Sequence, residues 1–174
     1  MAKILDWGLA TAAASPPACL PAQKDPSPML SHKARYALRA LVELARDETG
    51  VQMTSAEIAS RADAPRKFLE AILLELSRRG LIISRRGKYG GYQLARPAAE
   101  ISFAQVIRVV DGPLALAPCV SHMAFRKCED CPSLEGCTLR EALMQARDAT
   151  SSVLEAYSLA DALASEPSLP KYKP

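Results

Sequence analysis

Aromatic residues are scarce in this chain: one Trp, three Phe and five Tyr make up 5% of its 174 residues. No run of 18 or more apolar residues occurs, so no membrane-spanning helix is expected. There are two histidines, His32 and His122. We find no nucleophile–base pair, no phosphate-cradling loop and no metalloprotease motif, and these absences argue against an enzyme. The opening stretch does not read as an export signal, because it carries a single Lys and Asp6 interrupts its apolar run. The expected compartment is therefore the cytosol, where thiols stay reduced. No internal repeat is visible, and no cysteine occurs between Cys19 and Cys119.

What is present fits a globular chain. Apolar residues make up 49% and charged residues 24%, enough for a real core in one domain, or in a small domain with an appended element. The net charge of +3 is unevenly spread. Residues 31–100 hold 13 Lys and Arg against 8 Asp and Glu, while residues 101–174 hold 7 against 9. The first of these segments is the one suited to face a polyanion.

Residues 11–28 are rich in Ala, Pro and Ser and have no periodicity, so 1–28 is expected to be a disordered extension, with Met1 and Met29 both open as starts. From Ser31 onward, Leu38, Leu41, Val42 and Ala45 predict a helix over about 31–46. Thr54 followed by Glu57 is a capping box opening a short helix with Ile58, Ala59 and Ala62 inward. Residues 65–79 predict an amphipathic helix with Phe68, Ile72, Leu73 and Leu76 on its inner face, stopped by Gly80. This succession is a helix-turn-helix. Residues 81–84 and 92–94 read as strands of a hairpin whose tip, Arg85 to Gly91, is basic and glycine-rich: a wing. Phe103, Val106, Ile107 and Val110 predict a short helix over 102–110, broken at Asp111-Gly112-Pro113. A cysteine loop occupies 118–137. From Thr138 a helix of about 20 residues carries a coiled-coil-like stripe: Leu139, Leu143, Ala146, Thr150, Val153 and Tyr157.

The basic residues of the second helix and wing suit duplex DNA, since Lys and Arg near phosphates release condensed counterions. A helix N-terminus adds backbone donors for a phosphate, and glycines at the tip let Arg86 approach a groove. Glu70, exposed on the second helix, is either an acceptor for cytosine N4 or an ordinary surface carboxylate. Cys119, Cys128, Cys131 and Cys137 are spaced C-x8-C-x2-C-x5-C. One tight cluster behind a cysteine-free segment reads as a ligand set for a soft metal: an iron–sulfur cluster, zinc or copper(I). Zinc ribbons usually show two close pairs, whereas here only Cys128 and Cys131 are close in sequence.

The segments Ala34-Arg35-Tyr36-Ala37-Leu38-Arg39-Ala40-Leu41, Ala56-Glu57-Ile58-Ala59, Phe68-Leu69-Glu70 and Arg86-Gly87-Lys88-Tyr89-Gly90-Gly91-Tyr92-Gln93-Leu94 resemble the IscR, NsrR and RirA family of bacterial winged-helix regulators. The resemblance covers about residues 29–164. It implies a homodimer with a long C-terminal dimerisation helix that represses transcription, and an iron–sulfur cluster (2Fe–2S or 4Fe–4S) on three cysteines plus a variable fourth ligand. Cys131 and Cys137 match the family's C-x5-C pair, and Cys119 resembles its first cysteine. Arg140 stands where some members have a ligating His. It stays protonated, which makes Cys128 the nearest candidate for the fourth position. The resemblance also places Glu70 and Arg86 at operator-contacting positions.

The expectation is thus a mainly α protein: a winged helix-turn-helix with a two-stranded wing and a long C-terminal dimerisation helix. Its parts are a disordered extension (1–28), a DNA-binding domain (29–100), a cysteine-cluster loop with the dimerisation helix (101–164) and a flexible tail (165–174). Residues expected at a double-stranded DNA operator are Arg66, Lys67, Glu70, Arg85, Arg86, Gly87, Lys88, Gly90, Gly91 and Tyr92. Metal ligands are expected at Cys119, Cys128, Cys131 and Cys137, with zinc the lesser alternative to a cluster. Two competing readings remain: a thiol- or zinc-dependent repressor without a cluster, and a redox or electron-transfer subunit that uses its winged helix for protein contact.

Overall fold

The computed structural model describes residues 30–47, 52–87, 90–131 and 133–165. Cys19, Lys88, the expected extension at 1–28 and all but Ser165 of the expected tail lie outside them. Six helices and one hairpin are described: α1 His32–Arg46, α2 Ser55–Arg61, α3 Arg66–Arg78, β1 Ile82–Arg85, β2 Gly91–Leu94, α4 Phe103–Val110, α5 Arg140–Ala156 and α6 Leu159–Ala164. The architecture is mainly helical with a small antiparallel sheet, as the periodicities predict.

Capping chemistry sets several of the helix starts. Ser31 caps α1, accepting from the Ala34 N–H at 3.0 Å, and is itself held by Asp111 at the end of α4. Thr54 and Glu57 form the capping box read from the sequence, satisfying two orphan donors reciprocally. The same hydrogen bonds from Thr54 hold the Glu57 carboxyl below its usual range. Pro65 sits at the N-cap of α3, one position before the first helical turn, and offers no side-chain cap.

The core is built by Leu41 of α1, Ile58 of α2, Leu69, Ile72, Leu73 and Leu76 of α3, Ile82 of β1, Val106 of α4, Ile101 and Leu159. The inner face of α3 therefore differs from the expected one. Leu69 is fully buried, while Phe68 is 43% exposed and lies edge-on against Tyr36. Phe68 and Leu69 are adjacent apolar residues, and the helix turns the second of them inward.

The hairpin pairs Ile82 with Leu94 and Arg85 with Gly91. Met53, just before α2, exchanges two backbone hydrogen bonds with Tyr92 at 3.0 and 2.8 Å. A Cβ on Gly91 would lie 2.7 Å from the Met53 carbonyl oxygen, so this join requires glycine. After α5 the chain returns to the core. The Phe103 N–H donates to the Tyr157 carbonyl, the Leu159 N–H donates to the Ile101 carbonyl, and α6 packs on α1.

Candidate nucleic-acid interface and cysteine loop

The turn between α2 and α3 is tight. Asp63 takes a positive φ of 49°, and the Ala64 N–H bonds the Ala59 carbonyl at 3.0 Å. This presents the start of α3 with Arg66, Lys67 and Glu70 all exposed. Without a side-chain cap, the first-turn N–H groups of α3 point outward beside two cations, the arrangement that suits a phosphate. Glu70 Oε1 accepts from Arg66 Nε at 3.0 Å and from the Ser55 hydroxyl at 3.2 Å. Two donors on one oxygen orient the carboxylate and leave Oε2 as the oxygen for an incoming donor. Ser55, the first residue of α2, was not legible as part of this face, because nothing local links it to a residue fifteen positions later.

Arg85, Arg86 and Gly87 are exposed at the wing. Gly87 has φ 113°, a conformation that L side chains rarely adopt, and its carbonyl accepts from the Gly90 N–H at 2.9 Å. A Cβ on Gly90 would come within 2.4 Å of the Arg85 carbonyl oxygen. Gly90 and Gly91 thus shape the wing through backbone closeness. Tyr92 is half-buried and packs against the core.

The cysteine loop begins in a 3-10 turn, Pro118–Val120, opened by proline. Cys119, Val120 and Ser121 are all buried. The Arg126 N–H donates back to the Pro118 carbonyl at 3.1 Å, which returns the chain toward Cys119. The Cys119 thiol neighbours that of Cys128, and the Cys131 thiol, which donates to the Ser133 carbonyl at 3.0 Å, neighbours that of Cys137. The Cys128 and Cys137 thiols also lie near enough to raise the pKa of both Cys119 and Cys131 electrostatically. The four cysteines thus stand as two neighbouring pairs within the loop. The Cys128 hydrogen bond, then burial, pushes the Cys119 thiol above its usual range; burial, then the Cys137 hydrogen bond, does the same for Cys131. Among the described residues, no three His, Cys, Asp or Glu side chains already stand as a metal-holding set.

The loop ends against α5. The Cys137 carbonyl accepts from the Arg140 N–H at 3.4 Å, and Arg140 Nε is buried without a hydrogen-bond partner. Arg147, midway along α5, is buried and donates from Nη1 to the Val120 carbonyl at 2.5 Å. Its Nε and Nη2 hold Asp148 Oδ1 at 2.8 and 2.6 Å, and His122 stands 3.6 Å from the same oxygen. His122 is thus turned to Asp148. The Arg147 hydrogen bond holds the Asp148 carboxyl below its usual range. Elsewhere α5 is sparsely covered: Leu139 and Val153 are each 67% exposed on its stripe. No described helix is long and apolar enough to cross a membrane.

A model of the Rrf2 family, described as an iron-dependent transcriptional regulator, matches residues 30–165. An Rrf2-like helix-turn-helix transcriptional regulator of Rhodobacter capsulatus is 37% identical over 139 residues, 78% of this chain and 93% of that protein. Among solved structures, CymR, the global cysteine regulator of B. subtilis, superposes with a TM-score of 0.63 at 30% identity, over 78% of this chain and 95% of that one. IscR of T. potens superposes with a TM-score of 0.59 at 26% identity, over 82% and 93%.

Proposed function

Since this chain belongs to the Rrf2 family of DNA-binding transcriptional regulators, we propose that it acts as a homodimeric repressor whose operator affinity is set by an iron–sulfur cluster on the cysteine loop. The observation that carries this reading is the meeting of Cys119, Cys128, Cys131 and Cys137 in one loop packed against α5. Four thiols are a soft donor set, the type that iron–sulfur clusters favour. Cys119, Cys128, Cys131 and Cys137 would hold the cluster, which would supply iron–thiolate bonds there. The uncompensated Nε of Arg140, buried at the end of the loop, suits an added negative charge there.

The chain's own residues do the rest. Arg66, Lys67 and the open N-terminus of α3 would hold phosphates, and Glu70, oriented by Ser55 and Arg66, would accept from a base edge in the major groove. Arg85, Arg86, Gly87 and Lys88 form the wing contact, with Gly90, Gly91 and Tyr92 setting its shape. The apolar stripe of α5 would pair with its copy, spacing two α3 helices for successive grooves. The proposed division puts 29–100 at the DNA and 101–164 at the sensor and the dimer seam, joined through a shared core.

A second reading has its own support. The thiols stand as two neighbouring pairs, Cys119 with Cys128 and Cys131 with Cys137, an arrangement suited to paired disulfides or zinc. Iron and acid-labile sulfide analysis of protein purified without oxygen, run beside the four single Cys→Ser variants, separates the readings. A cluster gives brown protein with iron and sulfide that is lost in Cys119→Ser, Cys131→Ser and Cys137→Ser, while Cys128→Ser assembles a cluster that decays faster in air. Colourless wild-type protein with stoichiometric zinc, or with neither metal, would remove the cluster.

A further inference from the structure

A buried arginine in the middle of a helix whose other residues are all half-buried or exposed needs an explanation. Arg147 is 7% exposed, yet its ionic partner, Asp148, is largely in solvent. Burying a guanidinium is costly unless its donors are met. Here Nη1 is met by the Val120 backbone carbonyl, on the residue that follows Cys119. Nε and Nη2 are met by Asp148, which in turn faces His122, three residues after Cys119. Ser121, between these two partners, is buried, and its hydroxyl accepts from the Ala124 N–H at 3.0 Å. The guanidinium therefore grips the backbone immediately beyond Cys119 from the helix that the proposed function assigns to the dimer seam. A second side-chain tie between α5 and the body of the protein, Arg108 to Glu155, lies near the far end of the helix.

We propose that Arg147 is a positioning residue that couples Cys119 to α5: its hydrogen bond to the Val120 carbonyl makes the pose of the 118–122 turn and the pose of the long helix depend on each other. This deepens the proposed function and rests on its reading of the cysteine loop as the sensor. A fork-shaped guanidinium suits the role because its planar donors engage the carbonyl and the carboxylate at once, which a point-charge ammonium does less well. Any change at Cys119, whether ligation or oxidation, shifts the carbonyl of the next residue, and that carbonyl is bound to the helix.

The test uses the full-length protein and the variants Arg147→Met and Arg147→Lys, with far-UV circular dichroism confirming the fold. The first readout is alkylation of the metal-free, reduced protein by iodoacetamide, followed cysteine by cysteine. In wild type Cys119 should react slowest. In Arg147→Met its rate should rise about tenfold, in Arg147→Lys it should rise less, and the rates of Cys128, Cys131 and Cys137 should stay within twofold. The second readout is affinity for a duplex selected on the wild-type protein, measured in metal-loaded and metal-free forms. The wild-type ratio between the two forms should shrink toward one in Arg147→Met and recover in part in Arg147→Lys. Unchanged Cys119 reactivity, or a full ratio retained in Arg147→Met, would overturn the coupling role. A wild-type ratio of one would instead sink the sensor reading on which it rests. If Arg147→Met fails to fold, Arg147→Lys and Asp148→Asn carry the same test, with Cys119 unlocking and a reduced ratio expected in each and wild-type behaviour in both contradicting it.

Discussion

Leu159 and Ile101 are joined by backbone as well as by packing: the Leu159 N–H donates to the Ile101 carbonyl at 3.0 Å, and both side chains are fully buried in one core. Beside them, Phe103 lies edge-on against Tyr157, with ring centroids 5.1 Å apart. The short α6 is thus part of the structure that positions the helix-turn-helix, although it lies far along the chain. The long α5 between them is tied back midway, by Arg147 to the Val120 carbonyl, and near its C-terminal end, by Glu155 to Arg108 and by Leu154 against the core.

Leu159→Ala should therefore destabilise the winged-helix core itself. Truncating a fully buried leucine costs about 2–5 kcal/mol through lost transfer energy and the cavity left behind. Urea unfolding should show the whole transition move to lower denaturant. A wild-type midpoint would mean that α6 does not belong to the core.

The capping box was legible because its chemistry lies within four residues, Thr54 to Glu57. The start of α6 carries a local signal of the same kind, the Ser158–Asp161 capping box, but Leu159–Ala164 has the composition of a continued helix, and the break at Tyr157-Ser158 shows only in the Ser102–Ser158 bridge to a residue 56 positions earlier. The spacing of the four cysteines does not show which of them become neighbours. Sequence closeness joins Cys128 to Cys131, while the fold joins Cys128 to Cys119. Arg147 reads in sequence as an ordinary helix-surface cation, and only the turn wrapped over it buries it. Phe68 was placed inward because periodicity alone does not choose between adjacent apolar residues.

The two capping boxes predict the acid limit of stability. Hydrogen bonds from Thr54 lower the Glu57 pKa, and those from Ser158 lower that of Asp161. A folded-state pKa below the unfolded value contributes stability that is present above the usual carboxylate range, about pH 4, and is lost as pH falls through the lowered folded values. The thermal midpoint should accordingly fall below about pH 4. The double variant Thr54→Ala/Ser158→Ala should show a flatter dependence there and a lower midpoint at neutral pH. An identical slope in wild type and variant would contradict this assignment.

At the DNA face, Arg86→Ala should weaken binding to a selected duplex by about 1–3 kcal/mol if Arg86 reads or tracks a groove. Lys67→Ala should weaken binding to all sequences alike and reduce the salt slope by about 1. Fluorescence anisotropy across a salt series distinguishes the two effects. Wild-type affinity and slope in both variants would remove this face from the interface.

The central claim, that the occupant of the cysteine loop sets operator affinity, is tested most directly by one titration. A fluorescent duplex selected on the wild-type protein is titrated at fixed salt with protein purified without oxygen, and again with the same preparation stripped of metal and kept reduced. The two dissociation constants should differ by about tenfold, a coupling of about 1.4 kcal/mol. Equal constants for the two forms, with binding intact in both, would contradict it.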